Sequence, residues 1–202
     1  MVLVHNGLRP KIDSDAVVAK GATVCGNVSI GKNTIIVHGA QIIAEGGYIE
    51  IGQDCLILEN AVLRSTERHS LSIGNNVLIG PNAHVVGCIV EDNVFVARGA
   101  SVFHGARLCE GSEVRINAVV HIKSVLPRNE TVPIGWVAVG NPAQILSPDK
   151  HDEIWAIQKP LNFPLYVYGV QRAEAGQSNM PKIMKEMART LRNHVNDEEV
   201  KE

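Results

Sequence analysis

Isoleucine, valine or leucine recurs every six residues along most of this chain. Ile12, Val18, Val24, Ile30, Ile36 and Ile42 keep the spacing without a break. It restarts at Ile51, Ile57 and Leu63, and again at Ile73, Ile79 and Val85. A last run joins Val90, Val96, Val102, Leu108, Val114, Val120 and Leu126. Four places after most of these stands a small or β-branched residue, such as Ala16, Ala22, Val28, Thr34, Ala40, Ala61, Ala83, Ala100, Ala106, Ser112 or Ala118. Neither the 3.6-residue period of a helix nor the two-residue alternation of a strand produces this pattern.

A chain that turns a corner every six residues does. Three such sides close one triangular coil, with the aliphatic inside and the small residue at the corner. Stacked coils pair their strands in parallel and bury the aliphatic positions as one continuous core. The expected fold is therefore mainly β: a left-handed parallel β-helix of hexapeptide repeats, with about six coils over residues 12–126. Three breaks interrupt the count. The step is nine from Ile42 to Ile51, ten from Leu63 to Ile73, and five from Val85 to Val90. The two long steps read as loops leaving the coil, where binding residues tend to gather.

The repeat is read as ending after Leu126, and "VPIGWVAVGNPAQIL" reads as the closing of the last coil. The domain division expected is a β-helix over 1–145 and a helical appendage over 146–202 packed on the prism. Ser147 and Pro148 suit an N-cap and first turn, so a helix of about ten residues is expected there. "KPLNFPLYVYGV", broken by Pro160 and Pro164, reads as extended. A last helix is expected from Pro181 to about Val195, with an apolar stripe of Ile183, Met184, Met187 and Leu191. The tail "NDEEVKE" reads as a solvated end.

Composition narrows the function classes. A net charge of −2 gives no basic field for nucleic acid. No apolar run is long enough for a membrane helix, and no leader is expected at the start. Cys25, Cys55, Cys88 and Cys109 contain no CxxC pair, which argues for reduced residues in a cytoplasmic protein and against a cysteine zinc site.

Four segments carry a family resemblance: "IIAEGGYIEIG", "IGPNAHVVGC", "VFVARGASVFHGARL" and "GNPAQIL". Over roughly residues 9–170 the chain resembles the γ-carbonic anhydrase family of hexapeptide proteins. The resemblance implies a homotrimer with zinc between subunits, held by three histidines, two from one subunit and one from its neighbour. Here the matching positions read Arg64, Pro81 and Val86. An arginine stays protonated, and proline and valine carry no donor atom, so no metal is expected at this site. The family's Arg-Gly-Asp segment reads Ile43, Ala44, Glu45, and its Asn and Gln read Leu56 and Leu58.

Of the remaining histidines, His69, His84, His104 and His121 fall within the repeat. His84 shares a strand face with Val86, and His69 lies in the second long loop, so these two are the candidate catalytic bases. Three functions compete. One is a binding or assembly module without zinc, a role suggested by a local resemblance of residues 38–63 to the β-helical end-complex subunits of dynactin. Another is an acyltransferase or thioesterase using a CoA thioester at a subunit interface. The third is a carbonic anhydrase with a displaced metal. No resident cofactor is expected. The cation of Arg64 is expected beside Glu45 and Glu59, either pairing with one of them and locking the trimer or presenting its donors to a small anion.

Overall fold

The computed structural model describes residues 1–174 and 176–200. Among these, three walls of mainly parallel strands enclose a triangular prism. One wall has ten strands and the other two have seven each. Eight of the ten strands are parallel and come from successive turns, from Val2–Val4 through Thr23–Cys25, Gln41–Ala44, Val62–Ser65 and His84–Val86 to Val137–Val139. The six-residue period is the length of one side. Ile42, Leu63, Val85, Val102 and Val120 lie in register across neighbouring strands of that wall, and all are 0–1% exposed.

Corner geometry explains the polar half of the repeat. Three residues after most ladder positions the backbone enters the left-handed region, with φ between 54° and 79°. Asn33, Asp54, Asn60, Asn76, Asn82, Asn93, Asn117 and Asn129 occupy such corners, alternating with Gly39, Gly99, Gly105 and Gly111. Asparagine, aspartate and glycine tolerate this conformation where other side chains lose about 1 kcal/mol. Lys123 is the exception at φ 56°, and its ammonium lies 4.1 Å from the centre of the Tyr166 ring.

The coil is longer than the sequence reading at both ends. Val2–Val4 opens a first turn, paired in parallel with Thr23–Cys25. At the other end Val132 and Ala138 continue the six-residue ladder, both fully buried. The sequence reading stopped one step early, before Val132, and the small inward residue Ala138 hides the step after it. The final strand, Gln144–Leu146, pairs antiparallel with Val137–Val139 and closes the prism, as "VPIGWVAVGNPAQIL" predicts.

Both long steps emerge at the same corner, between the ten-stranded wall (the first) and the seven-stranded wall that begins at Lys11–Ile12 (the second). Residues 45–48 form one and residues 66–70 the other, the latter pinched by a Thr66–His69 bridge. A third excursion, closed by a His5–Leu8 bridge, sits at the same corner and precedes the recognisable repeat.

Three helices follow: α1 (His151–Gln158), α2 (Phe163–Tyr168) and α3 (Met180–Leu191). The expected cap at Ser147 does not form. Ser147 closes a turn by accepting from the Lys150 backbone N–H, so α1 starts later. The segment read as extended is helical. Pro160 opens a 3-10 turn over Lys159–Leu161, and Pro164 lies in the first turn of α2. A proline there loses no hydrogen bond, because those N–H groups have no partner within the helix. On α3, Ile183 is buried while Met184 is 54% exposed, so the apolar stripe is narrower than expected. The tail is docked as far as residue 200, and residues 201–202 lie outside the described residues. Glu198–Glu199 pairs antiparallel with Val2–Val4 and adds a strand to the wall. No helix among the described residues is long and apolar enough to cross a membrane.

Candidate functional site

Strands Val62–Ser65 and His84–Val86 present Leu63, Ser65 and Val85 inward, so Arg64, His84 and Val86 face out. Helices α2 and α3 roof this outward face and leave a cavity of about 270 Å³. Arg64 and Val86 are register partners on its floor, with His84, Phe103 and His104 beside them. Phe163 and Leu191 come from the helices above.

Two of the three positions that the sequence resemblance set against zinc ligands, Arg64 and Val86, therefore share one cavity. The third, Pro81, sits half-buried in the turn before His84–Val86 and does not line it. None of these residues fits a metal. Arg64 donates instead to Glu45, Nη2 to Oε1 at 2.6 Å, with Glu45 5% exposed. Both partners belong to one chain. Glu59 is not part of this site: it lies exposed in a turn at another corner, where its carbonyl accepts from the Asn82 N–H.

The candidate bases separate. His84 faces the cavity, and its pKa is lowered by partial burial and by the charge of Arg64. His69 instead packs edge-on against His104 and Tyr166, with ring centres 5.2 and 4.6 Å away. Its pKa is lowered by burial and then by Arg68 and Lys123. His121 lies beside Phe103 and Phe163, and burial lowers its pKa too.

His104 is the most perturbed of the four. It is 9% exposed, and its Nδ1 has no hydrogen-bond partner among the described residues. Burial, followed by the neighbouring His69, His84 and Arg64, lowers its pKa to about 4. Between that value and the unfolded value near 6.5, the unfolded chain binds a proton that the folded chain does not. Stability from this residue is thus present above the upper value and is lost as pH falls through the window. A loss on the order of 3 kcal/mol is expected by the acid end. Urea denaturation of His104→Gln across the same pH range should show a visibly flatter slope.

Glu45 begins a second constellation. Its other oxygen, Oε2, lies 3.0 Å from His194 Nε2. His194 Nδ1 lies 2.7 Å from Asp197 Oδ2, and His5 Nδ1 is 2.6 Å from Asp197 Oδ1. The Cys25 thiol points at Asp197 Oδ2 from 3.5 Å. The rings of His5 and His194 stack at 4.4 Å. Burial and the charge of Asp197 push the Cys25 thiol up to about 12. Burial opposes protonation of His194, but hydrogen bonds to Asp197 and Glu45 outweigh it and hold its pKa up. Sequence reasoning missed this group. His5 lay in a start weighed only for a leader, which it does not resemble, Asp197 lay in a tail read as solvated, and no spacing motif links residues so far apart.

No family model matches the chain. Individual relatives do. "Gamma carbonic anhydrase 1, mitochondrial" of Arabidopsis thaliana is 30% identical over 190 residues, covering 91% of this chain and 66% of that protein. "Gamma carbonic anhydrase 2, mitochondrial" of the same plant is 32% identical over 151 residues, covering 72% of this chain and 52% of that protein. "Dynactin subunit 6" of Danio rerio is 31% identical over 134 residues, covering 60% of this chain and 69% of that protein. The chain thus spans about half to two thirds of the two plant relatives it matches. With a prism of hexapeptide coils and this identity carried through 91% of its length, the chain belongs to the γ-carbonic anhydrase-like family of hexapeptide-repeat proteins.

Proposed function

We propose that this chain is a homotrimeric binding or assembly module in which the family's zinc position has become a fixed ion pair, so that it does not hydrate CO₂. One observation carries the reading: Arg64 is held on the buried Glu45 at 2.6 Å, beside the side chain of Val86. Hydration chemistry in a zinc enzyme needs an open metal position that turns water into hydroxide near neutral pH. A paired guanidinium supplies neither a metal ligand nor a base.

The seven-stranded wall that begins at Val17–Val18 supports association. Val17, Ile35, Leu56, Leu78 and Phe95 are successive register partners along its outer face. The first three are 56%, 40% and 38% exposed. Such an apolar row is the kind of surface that a second copy covers.

Light scattering is expected to give three times the monomer mass, and stopped-flow assays of zinc-supplemented protein to give CO₂ hydration no faster than buffer. A monomer, or hydration that a chelator abolishes, would overturn the reading. Metal content by itself does not decide it. The acyl-transfer alternative is favoured by one feature, a cavity-facing His84 whose lowered pKa keeps it neutral and able to accept a proton. Turnover of acetyl-CoA that is lost in His84→Ala would establish that reading instead.

A further inference from the structure

We propose that His5, Cys25, His194 and Asp197 form a zinc site that fastens the C-terminal tail to the first coils of the prism. One ligand atom from each residue lies within 4.8 Å of every other. Around a tetrahedral zinc with bonds of about 2.0–2.3 Å, ligand atoms stand roughly 3–4 Å apart. Small side-chain movements therefore suffice to enclose an ion. Asp197 already touches the other three.

The donor set selects the metal. Two imidazoles, a thiolate and a carboxylate form a mixed, borderline-soft set in a four-coordinate arrangement, which suits zinc over calcium or magnesium. His5 and Cys25 are 2% and 1% exposed, and Asp197 is 12% exposed. Four protein ligands leave no position for water, so the site is structural, and its presence would not restore hydration.

Support behind the ligands points the same way. His194 presents Nε2 to Glu45 at 3.0 Å, and His5 presents Nε2 to the Asn6 side-chain amide at 3.0 Å. An N–H on each Nε2, donated to the Glu45 carboxylate and to the Asn6 oxygen once that amide is turned, leaves both Nδ1 lone pairs facing Asp197. This is the carboxylate-supported histidine of metal sites. On binding, Cys25 releases its proton to solvent as Sγ takes the ion, and the histidines bind as neutral rings.

Topology gives the site a purpose. Leu3 and Cys25 are register partners in the first two coils. His194 belongs to the 3-10 turn Arg192–Asn196 that follows α3, and Asp197 comes directly after it. An ion between them fixes the far end of α3, the helix that roofs the Arg64 cavity.

Cobalt tests this directly. Metal-stripped full-length protein titrated with Co²⁺ should bind one equivalent, with a near-ultraviolet thiolate-to-cobalt band and visible bands of tetrahedral geometry. Zn²⁺ should displace them. Cys25→Ser should abolish the near-ultraviolet band, and His194→Gln, on a surface turn, should weaken binding at least tenfold. Limited proteolysis should cut the segment after α2 faster in stripped than in zinc-loaded protein. Absence of binding in the wild-type chain, a spectrum without a thiolate band, or a band that persists in Cys25→Ser overturns the proposal. His194→Gln keeps the test decisive should Cys25→Ser fail to fold. Either result leaves the hydration assay above unaffected.

Discussion

Leu63→Ala is expected to destabilise the chain by roughly 2–5 kcal/mol. Leu63 is 0% exposed and sits between Ile42 and Val85 in the inner ladder of the first wall. Truncation removes its transfer free energy and leaves a cavity. That cavity cannot readily collapse, because hydrogen bonds to the coils on either side pin the backbone of Val62–Ser65. Coils contact mainly their neighbours, so the defect concentrates its effect on the adjacent coils. Urea denaturation should show the midpoint falling while the slope stays constant. A loss below about 1 kcal/mol would mean that the coils slide to fill the space, contrary to a tightly packed ladder.

Glu45→Ala should cost about 2–4 kcal/mol, by a different route. Its carboxylate is 5% exposed and serves both Arg64 and His194. Removing it strands a cation and an imidazole under the helices. Arg64 is 32% exposed, so its guanidinium recovers some hydration and the loss falls short of that for a fully buried pair. The double change Glu45→Leu, Arg64→Met removes both charges together and should be markedly less harmful than Glu45→Ala. Calorimetry of the single and double variants gives the comparison. Equal losses in the two would show that packing, and not the unpaired charge, sets the cost.

The prism could be read from the chain because its determinants are local and periodic. Each side spends six residues on one inward aliphatic and one corner, and the corners reject most side chains other than Asn, Asp and Gly. Inspection of residues is enough to find that rule, though it stopped short of Val132 and Ala138 and began after the first turn at Val2–Val4. The resemblance that sets Arg64, Pro81 and Val86 against the family's ligand positions was likewise drawn residue by residue from the sequence.

Beyond the repeat, local signals were ambiguous. Pro160 and Pro164 break a helix from inside but start one from its first turn, and only packing against the prism decided which. Glu59 and Glu45 looked equivalent in the one-dimensional pattern. They sit at different corners because the ladder residues before them, Ile42 and Ile57, belong to different walls. The convergence of His5 and Cys25 with His194 and Asp197 was decided wholly by tertiary structure. Those residues come from opposite ends of the chain, and they meet because the tail returns as an antiparallel strand on the first coil. Periodicity specifies what repeats along the chain. Where an aperiodic tail docks depends on which backbone edge and which buried polar groups the finished prism leaves for it to satisfy.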